Sequence, residues 1–175
     1  MNRLGAMEGI TVLDLTRVLA GPFSTMILAD MGANVIKIEQ AGKGADERQN
    51  GPFQNGESAY YMNLNRNKKG MSLNLKSPKG KEIFQELVKK ADVVVENYRP
   101  GTMDKLGLGY NDLKKINPRI IYGAVSGFGQ YGPYSRRPGY DIISQAMSGL
   151  MSTTGWPGGP PTRSGTAMGD VLGGL

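Results

Sequence analysis

Apolar positions recur along the chain in two rhythms. Thr11 to Leu15 (TVLDL), Val35 to Glu39 (VIKIE), Met71 to Leu75 (MSLNL), Asp92 to Glu96 (DVVVE) and Arg119 to Val125 (RIIYGAV) have the length and β-branched content of strands. Between these runs the apolar spacing widens. Pro22 to Met31 predicts a helix, with Pro22 in its first turn and Gly32 just past its end. Ser77-Pro78 opens a second, Ser77 as N-cap and Pro78 at the first position. Ile83, Phe84, Leu87, Val88 and Ala91 then recur at helical spacing as its buried stripe. Short helices are predicted over Thr102 to Leu106 and Asn111 to Ile116, and further ones over Tyr140 to Met151 and Gly169 to Leu175. Gln40 to Gly70 predicts a long polar, glycine-rich loop, uncommon unless it is functional or covered by something else. Thr153 to Gly165 is a loop of Gly, Pro and Thr. Strands alternating with helices predict an α/β fold with parallel pairing.

Composition narrows the chemistry. A chain of 175 residues fits one domain and buries a real core. With 39% hydrophobic residues and 26 glycines it is not wholly disordered. It has no Cys and no His, which excludes disulfide scaffolds, Cys or His zinc sites, thiol catalysis and a Ser-His-Asp triad. No apolar run approaches the ~20 residues of a membrane span, and the start from Met1 to Gly5 has no signal-peptide apolar core. A cytoplasmic protein is expected, with no metal and no membrane partner.

The net charge of +6 is uneven. Arg66, Lys68, Lys69, Lys76, Lys79, Lys81, Lys89 and Lys90 face only Glu82 and Glu86 between Asn65 and Lys90, so this stretch alone carries 8 − 2 = +6. One reading is a solvated face, the other a site for a polyanion. Phe84 is the only aromatic there and sits on the apolar stripe, so a phosphorylated small molecule suits the stretch better than a nucleic acid.

Ser126-Gly127-Phe128-Gly129-Gln130-Tyr131-Gly132 contains a G-x-G-x-x-G after a strand. Pro133 follows at once, so no helix opens on the glycines as a dinucleotide site requires, and a tight loop admitting substrate to the backbone is the better reading. Asp170 follows Gly169 at the opening of the last helix. On spacing alone it caps that helix; the alternative is a carboxylate nucleophile, kept ionised by the helix dipole and approached past the small Gly169. Asn97, Tyr98 and Arg99 follow a strand end, where ligands of parallel sheets bind, although from the residues alone a polar turn with a surface Tyr is the favoured reading. Tyr60, Tyr61 and Trp156 read as packing residues.

In order, GITVLDLTRVLAGP (9–22), GANVIKIE (32–39), NRNKKGMSLNLKSPKGKE (65–82), ADVVVENYRPG (91–101), LGLGY (106–110), NPRIIYGAVSGFGQYGP (117–133) and TRSGTAMGD (162–170) resemble the class III CoA-transferases, the family of formyl-CoA transferase and carnitine CoA-transferase. The resemblance implies a doubly wound, mostly parallel α/β sheet with flanking helices, a Rossmann-like CoA-binding domain. Residues 1–175 would be its N-terminal part, ending before the family's small second domain, returning C-terminal segment and shielding glycine-rich loop. It implies an acyl-CoA substrate and a small carboxylic acid acceptor. Asp170 would be the nucleophile, forming a mixed anhydride and then an enzyme–CoA thioester. CoA contacts are implied at Leu19 and Ala20, at Leu73, Asn74, Leu75 and Lys76, at Asn97, Tyr98 and Arg99, at Lys105 and at Tyr140. Lys76 and Lys105 would serve the phosphates.

Some members carry a basic residue where Gln40 stands and a Lys where Pro138 stands; Arg137 is the substitute expected for the latter. Family chains interlock as homodimers, which this length of chain is not expected to do unaided. The racemase branch of the family is the alternative activity, but it carries a His where Tyr140 stands, and His suits proton transfer at neutral pH far better. A CoA-binding fragment without turnover is the alternative from another class. A nucleic-acid-binding module, resting on a pI of about 9.5, is third.

Overall fold

A computed structural model describes residues 5–175; the leading residues 1–4, part of the segment read above for a signal-type apolar core, lie outside the described residues. Five strands form one parallel sheet: β1 (Thr11–Asp14), β2 (Asn34–Gln40), β5 (Lys69–Leu73), β6 (Val93–Glu96) and β7 (Ile121–Ala124), in the order β5-β2-β1-β6-β7. The strand order therefore reverses between β1 and β6, the doubly wound arrangement, which leaves a crevice beyond the carboxyl ends of these two strands.

Period-two alternation assigns the faces. Leu13, Ile38 and Val94 point into a core shared with Phe84 and Val88 of α3 (Pro78–Val88), Met103 of α4 (Thr102–Leu106) and Leu113 of α5 (Tyr110–Ile116). Val12, Val35 and Val95 point the other way, with Ala29 of α1 (Ala20–Asp30). The α3 stripe is as the sequence predicts: Phe84 and Val88 are fully buried, Ile83 and Leu87 partly. Ser77 caps its first turn, the Gly80 N–H donating to Ser77 Oγ at 3.0 Å.

Several boundaries move. α1 begins at Ala20 rather than Pro22, so Leu19 is its N-cap and Pro22 its third residue. β5 begins at Lys69 rather than Met71, because Lys69 pairs with Ile36; an edge strand tolerates a lysine there. The helix expected over Tyr140 to Met151 divides into α6 (Asp141–Met147) and a 3-10 turn, Leu150–Thr153, separated by Gly149 at φ 83°. The last helix is α7 (Met168–Gly174).

The larger correction concerns residues 40–70. They hold a 3-10 turn (Asp46–Gln49), a two-stranded hairpin of β3 (Phe53–Gln54) and β4 (Glu57–Ser58), and α2 (Ala59–Leu64), capped by Ser58 Oγ accepting from the Tyr61 N–H. Strands of two residues carry no periodicity to read. Arg48 fastens the segment to the sheet by binding both oxygens of Glu39 at 2.7 and 2.8 Å. That bond, against the cost of burial, and further bonds from Tyr61 and the Ala45 N–H hold the Glu39 carboxyl down to about 2.

The basic stretch is not one patch. Lys68 is buried against Asp14, Arg66 pairs with Asp30, Lys79 with Glu82 and Lys89 with Glu86, and Lys69 donates to Asn34. Lys76, Lys81 and Lys90 are in no ion pair among the described residues. No helix among the described residues is long and apolar enough to cross a membrane.

Candidate active site

A cleft of about 440 Å³ opens at the carboxyl ends of β1, β6 and β7, where the strand order reverses. Its walls include the β1–α1 loop (Arg17 to Ala20), the turn after β6 (Asn97 to Pro100), the loop after β7 (Val125 to Gly127) with its return (Arg137 to Tyr140), and the opening of α7 at Gly169 and Asp170, with Asp46 and Ser144 adding to them.

Asp170 lies in the first turn of α7, at its third residue rather than at the N-cap, which is Ala167. Its carboxylate accepts no hydrogen bond among the described residues. Burial raises its pKa, and the neighbouring charge of Asp141 adds to the rise. These two effects oppose the helix dipole, which on the nucleophile reading favours the ionised form. A carboxylate so placed is poorly solvated and more basic than usual, which favours nucleophilic attack.

The group that occupies the α7 terminus is Asp141, which sequence reasoning passed over. One of its oxygens accepts from the Gly169 N–H at 2.8 Å, Gln145 Nε2 reaches both oxygens at 3.0 and 2.8 Å, and Arg163 Nε lies 3.2 Å away. Burial would raise the Asp141 pKa, but these donors, with the Asp170 N–H, hold it below the usual carboxylate range. An Asp beginning one helix and capping another 28 residues later leaves no periodic trace; the Asp141–Gln145 spacing of four was the only local signal. Gly169 fits the same junction. A Cβ there would sit 2.8 Å from Ser144 Cβ and 3.0 Å from the Asp141 carbonyl, so the α6–α7 contact requires the glycine, which also lines the cleft.

Gly127 is likewise a packing requirement: its Cβ would lie 2.5 Å from Gly139 Cα. No helix opens on the G-x-G-x-x-G stretch, so a dinucleotide site has no basis there. Tyr60 is half-buried, and its pKa is pushed up to about 12 by burial and then by the charge of Asp170. It is therefore an electrostatic neighbour of the candidate nucleophile, not only a packing residue. Trp156, expected to pack, is 90% exposed.

Of the residues the resemblance implied, Leu19, Ala20, Asn97, Tyr98, Arg99, Arg137, Tyr140 and Asp170 line the cleft. The Asn97 amide is already engaged, accepting from the Arg17 N–H at 2.8 Å and donating to the Arg17 carbonyl at 2.6 Å. One face of the Tyr98 ring carries the Arg17 guanidinium at 4.8 Å. Tyr140 is 71% exposed and freely available. Gln40 borders a second, smaller recess of about 50 Å³ shared with Arg17, Asp46 and Tyr98. Leu73, Asn74, Leu75, Lys76 and Lys105 lie outside both. Leu73 is core, Asn74 shapes the turn into α3 by accepting from the Lys76 N–H, and Lys76 and Lys105 are exposed. No group of three or more Asp or Glu gathers to hold a metal among the described residues.

A parallel sheet of doubly wound order with an open cleft at its switch point, and a carboxylate without a hydrogen-bond partner among the described residues at that cleft, define an α/β domain of ligand-binding type. Residues 7–175 match CoA-transferase family III, and the chain belongs to that family. It is 54% identical over 172 residues to an acetyl-CoA:oxalate CoA-transferase of Acetobacter aceti, covering 98% of this chain and 44% of that protein. It is 53% identical over 176 residues to the succinyl-CoA:glutarate CoA-transferase of Homo sapiens, covering 100% of this chain and 40% of that one. A crystal structure of a CAIB/BAIF family protein from Brucella suis superposes with a TM-score of 0.92 at 41% identity, over 98% of this chain and 47% of that one. The chain thus spans less than half the length of these relatives.

Proposed function

We propose that the protein carrying this chain transfers CoA from an acyl-CoA thioester to a small carboxylic acid, with Asp170 as the nucleophile. The observation that carries the reading is the Asp170 carboxylate: held by α7 at the cleft, free of hydrogen bonds among the described residues, and made more basic than usual by burial and by Asp141. Asp170 attacks the thioester carbonyl, the carbon–sulfur bond breaks, and CoA thiolate leaves behind an aspartyl–acyl anhydride. The thiolate attacks the aspartyl carbonyl and releases the donor acid, leaving Asp170 as its CoA thioester. The acceptor carboxylate then attacks that thioester, giving a new anhydride and thiolate. Attack of the thiolate on the acceptor acyl carbon yields the new acyl-CoA and restores Asp170.

Support for CoA itself comes from family membership and from the cleft's mixed character. Leu19, Ala20 and Tyr140 offer surface to an acyl-pantetheine arm, and Arg99 and Arg137 offer charge to phosphates. Gln40 and Leu73 end β2 and β5 at the carboxyl edge of the sheet, and Asn74, Leu75 and Lys76 follow at once, which supports an extended ligand running along that edge; Lys105, on α4, is the remaining contact of this reading. The oxalate and glutarate in the names of the relatives are dicarboxylic acids, so a small dicarboxylic acid is the acceptor class to examine first. An interlocked homodimer in the cytoplasm is the assembly that goes with this reading. The racemase alternative is less well supported, since the chain has no His and a Tyr stands at position 140, where that branch carries its His.

The test is calorimetric titration of CoA into the folded protein, with 3′-dephospho-CoA as control, followed by assay of an acyl-CoA with oxalate or glutarate. Saturable binding weakened by loss of the phosphate, and new acyl-CoA product, are expected. A folded protein that ignores CoA contradicts the proposal.

A further inference from the structure

Beneath the β1–α1 loop, the sheet face that is apolar at Val12 and Val35 becomes charged. Asp14 and Lys37 are direct partners in the β1–β2 ladder. Asp14 and Glu47 are 0% exposed, Lys37 is 1%, and the Lys68 side chain is 1%. Lys37 Nζ lies 2.9 Å from Glu47 Oε1, and Lys68 Nζ lies 3.0 Å from Asp14 Oδ2. Four charges of balanced sign are thus buried together. None of them lines the cleft, so none reaches a substrate.

Their remaining bonds run to one place. The Asp14 carboxylate accepts from the Thr16 N–H at 2.8 Å and from the Thr16 and Thr25 hydroxyls. Lys37 donates to the Thr16 carbonyl at 2.7 Å. Lys68 donates to the Pro22 carbonyl at 3.0 Å and to Thr25 Oγ1 at 2.8 Å. The second oxygen of Glu47 accepts from the Val18 N–H at 3.2 Å, and its neighbour Asp46 pairs with Arg17. Each end of the segment 16–25 is therefore held by a buried charge.

Val18 shows what this grip holds. Its φ is 67°, a conformation a β-branched residue adopts only when its surroundings impose it. Its consequence lies at the next two residues. The Leu19 and Ala20 N–H groups, at the uncapped start of α1, make no hydrogen bond among the described residues and belong to the cleft wall.

We propose that Asp14, Lys37, Glu47 and Lys68 form a positioning device that presets the β1–α1 loop, with the Glu47–Val18 contact fixing the direction of the Leu19 and Ala20 N–H groups toward the bound CoA. The proposal rests on the CoA reading for its ligand and on geometry alone for its loop. Buried ion pairs are often replaceable by apolar residues of similar size without loss of stability, so retention of four charges here points to geometry rather than to stability.

The deciding variant is the double replacement Lys37→Met with Glu47→Leu, made in the protein as it occurs and read by melting and by CoA titration. The expected result is an unchanged or higher melting temperature with CoA affinity weakened about tenfold or more, the loss that goes with roughly one misdirected hydrogen bond. Affinity within twofold of the parent overturns the proposal. Glu47→Gln is the second variant. It keeps the shape but cannot accept from both Lys37 and Val18, and the same weakening is expected; parent-like affinity again overturns the proposal. Amide hydrogen exchange reads the loop with no substitution. The Val18 N–H is expected to exchange as slowly as the amides of β1, and exchange at the rate of an exposed loop refutes the device. If the parent protein fails to bind CoA, the functional reading fails, while slow Val18 exchange still upholds the loop.

Discussion

Replacing Asp141 by asparagine keeps the side chain's shape and removes its charge. The carboxylate serves donors on three segments: the Gly169 and Asp170 N–H groups of α7, the fully buried amide of Gln145, and Arg163. Asparagine has one accepting oxygen, and its amide nitrogen faces donors, so at least one buried donor loses its partner. Hydrogen bonds to a charged group contribute about 1.5–3 kcal/mol, and an orphaned buried donor costs about 1–3 kcal/mol. Arg163 is 46% exposed and turns to water, so its share is small. The net loss is about 2–4 kcal/mol, a fall in melting temperature on the order of 10 °C for a chain of this size. A second effect has a fixed sign. The Asp141 charge helps hold the Asp170 pKa up, so its removal lowers that pKa. Activity needs ionised Asp170, and the acid limb of kcat/KM must move to lower pH. Thermal melts and a pH–rate profile of Asp141→Asn measure both. A melting temperature within about 2 °C of the parent, or an acid limb displaced upward, refutes the role assigned to Asp141.

Asp170→Asn is expected to abolish transfer while leaving CoA affinity within a few fold, measured by turnover and titration; parent-like turnover removes Asp170 from the chemistry. Gly169→Ala places a methyl 2.8 Å from Ser144 Cβ, and because α7 must shift, kcat is expected to fall more than KM rises. Phe84→Ala empties a fully buried site and is expected to cost about 3–5 kcal/mol in denaturant unfolding. Glu39 has a folded pKa of about 2 against an unfolded value near 4.5. Its contribution is therefore complete above the unfolded value and is lost as pH falls toward 2, and Glu39→Gln is expected to flatten the acid side of the stability–pH curve.

What was legible in the sequence follows from how local each signal is. Ser77-Pro78 and the stripe through Phe84 and Val88 define α3 because cap, first turn and period all lie within 15 residues. The strands are legible because parallel strands covered on both faces read as unbroken apolar runs. The hairpin and α2 inside 40–70 are too short to show a period. Lys68 was read with a basic stretch for phosphates, yet it lies beside Asp14, 54 residues away, and only the sheet order brings them together. Asp141 was passed over, and Tyr60 was read only as a packing residue, for the same reason. Each matters through Asp170, and neither lies near it in sequence. Asp170 itself was legible as a helix-opening acid; the resemblance, not its spacing, marked it as the nucleophile.

The central claim, covalent transfer through the Asp170 carboxylate, is tested most directly with an acceptor acid carrying heavy oxygen in its carboxylate. In the proposed sequence the labelled acceptor oxygen attacks the aspartyl thioester, and the later break at the acceptor acyl carbon leaves one labelled oxygen on Asp170. Mass spectrometry of the peptide containing Asp170, after a single turnover with an acyl-CoA and the labelled acid, is predicted to show one heavy oxygen on that residue. Formation of the new acyl-CoA with Asp170 unlabelled contradicts the account.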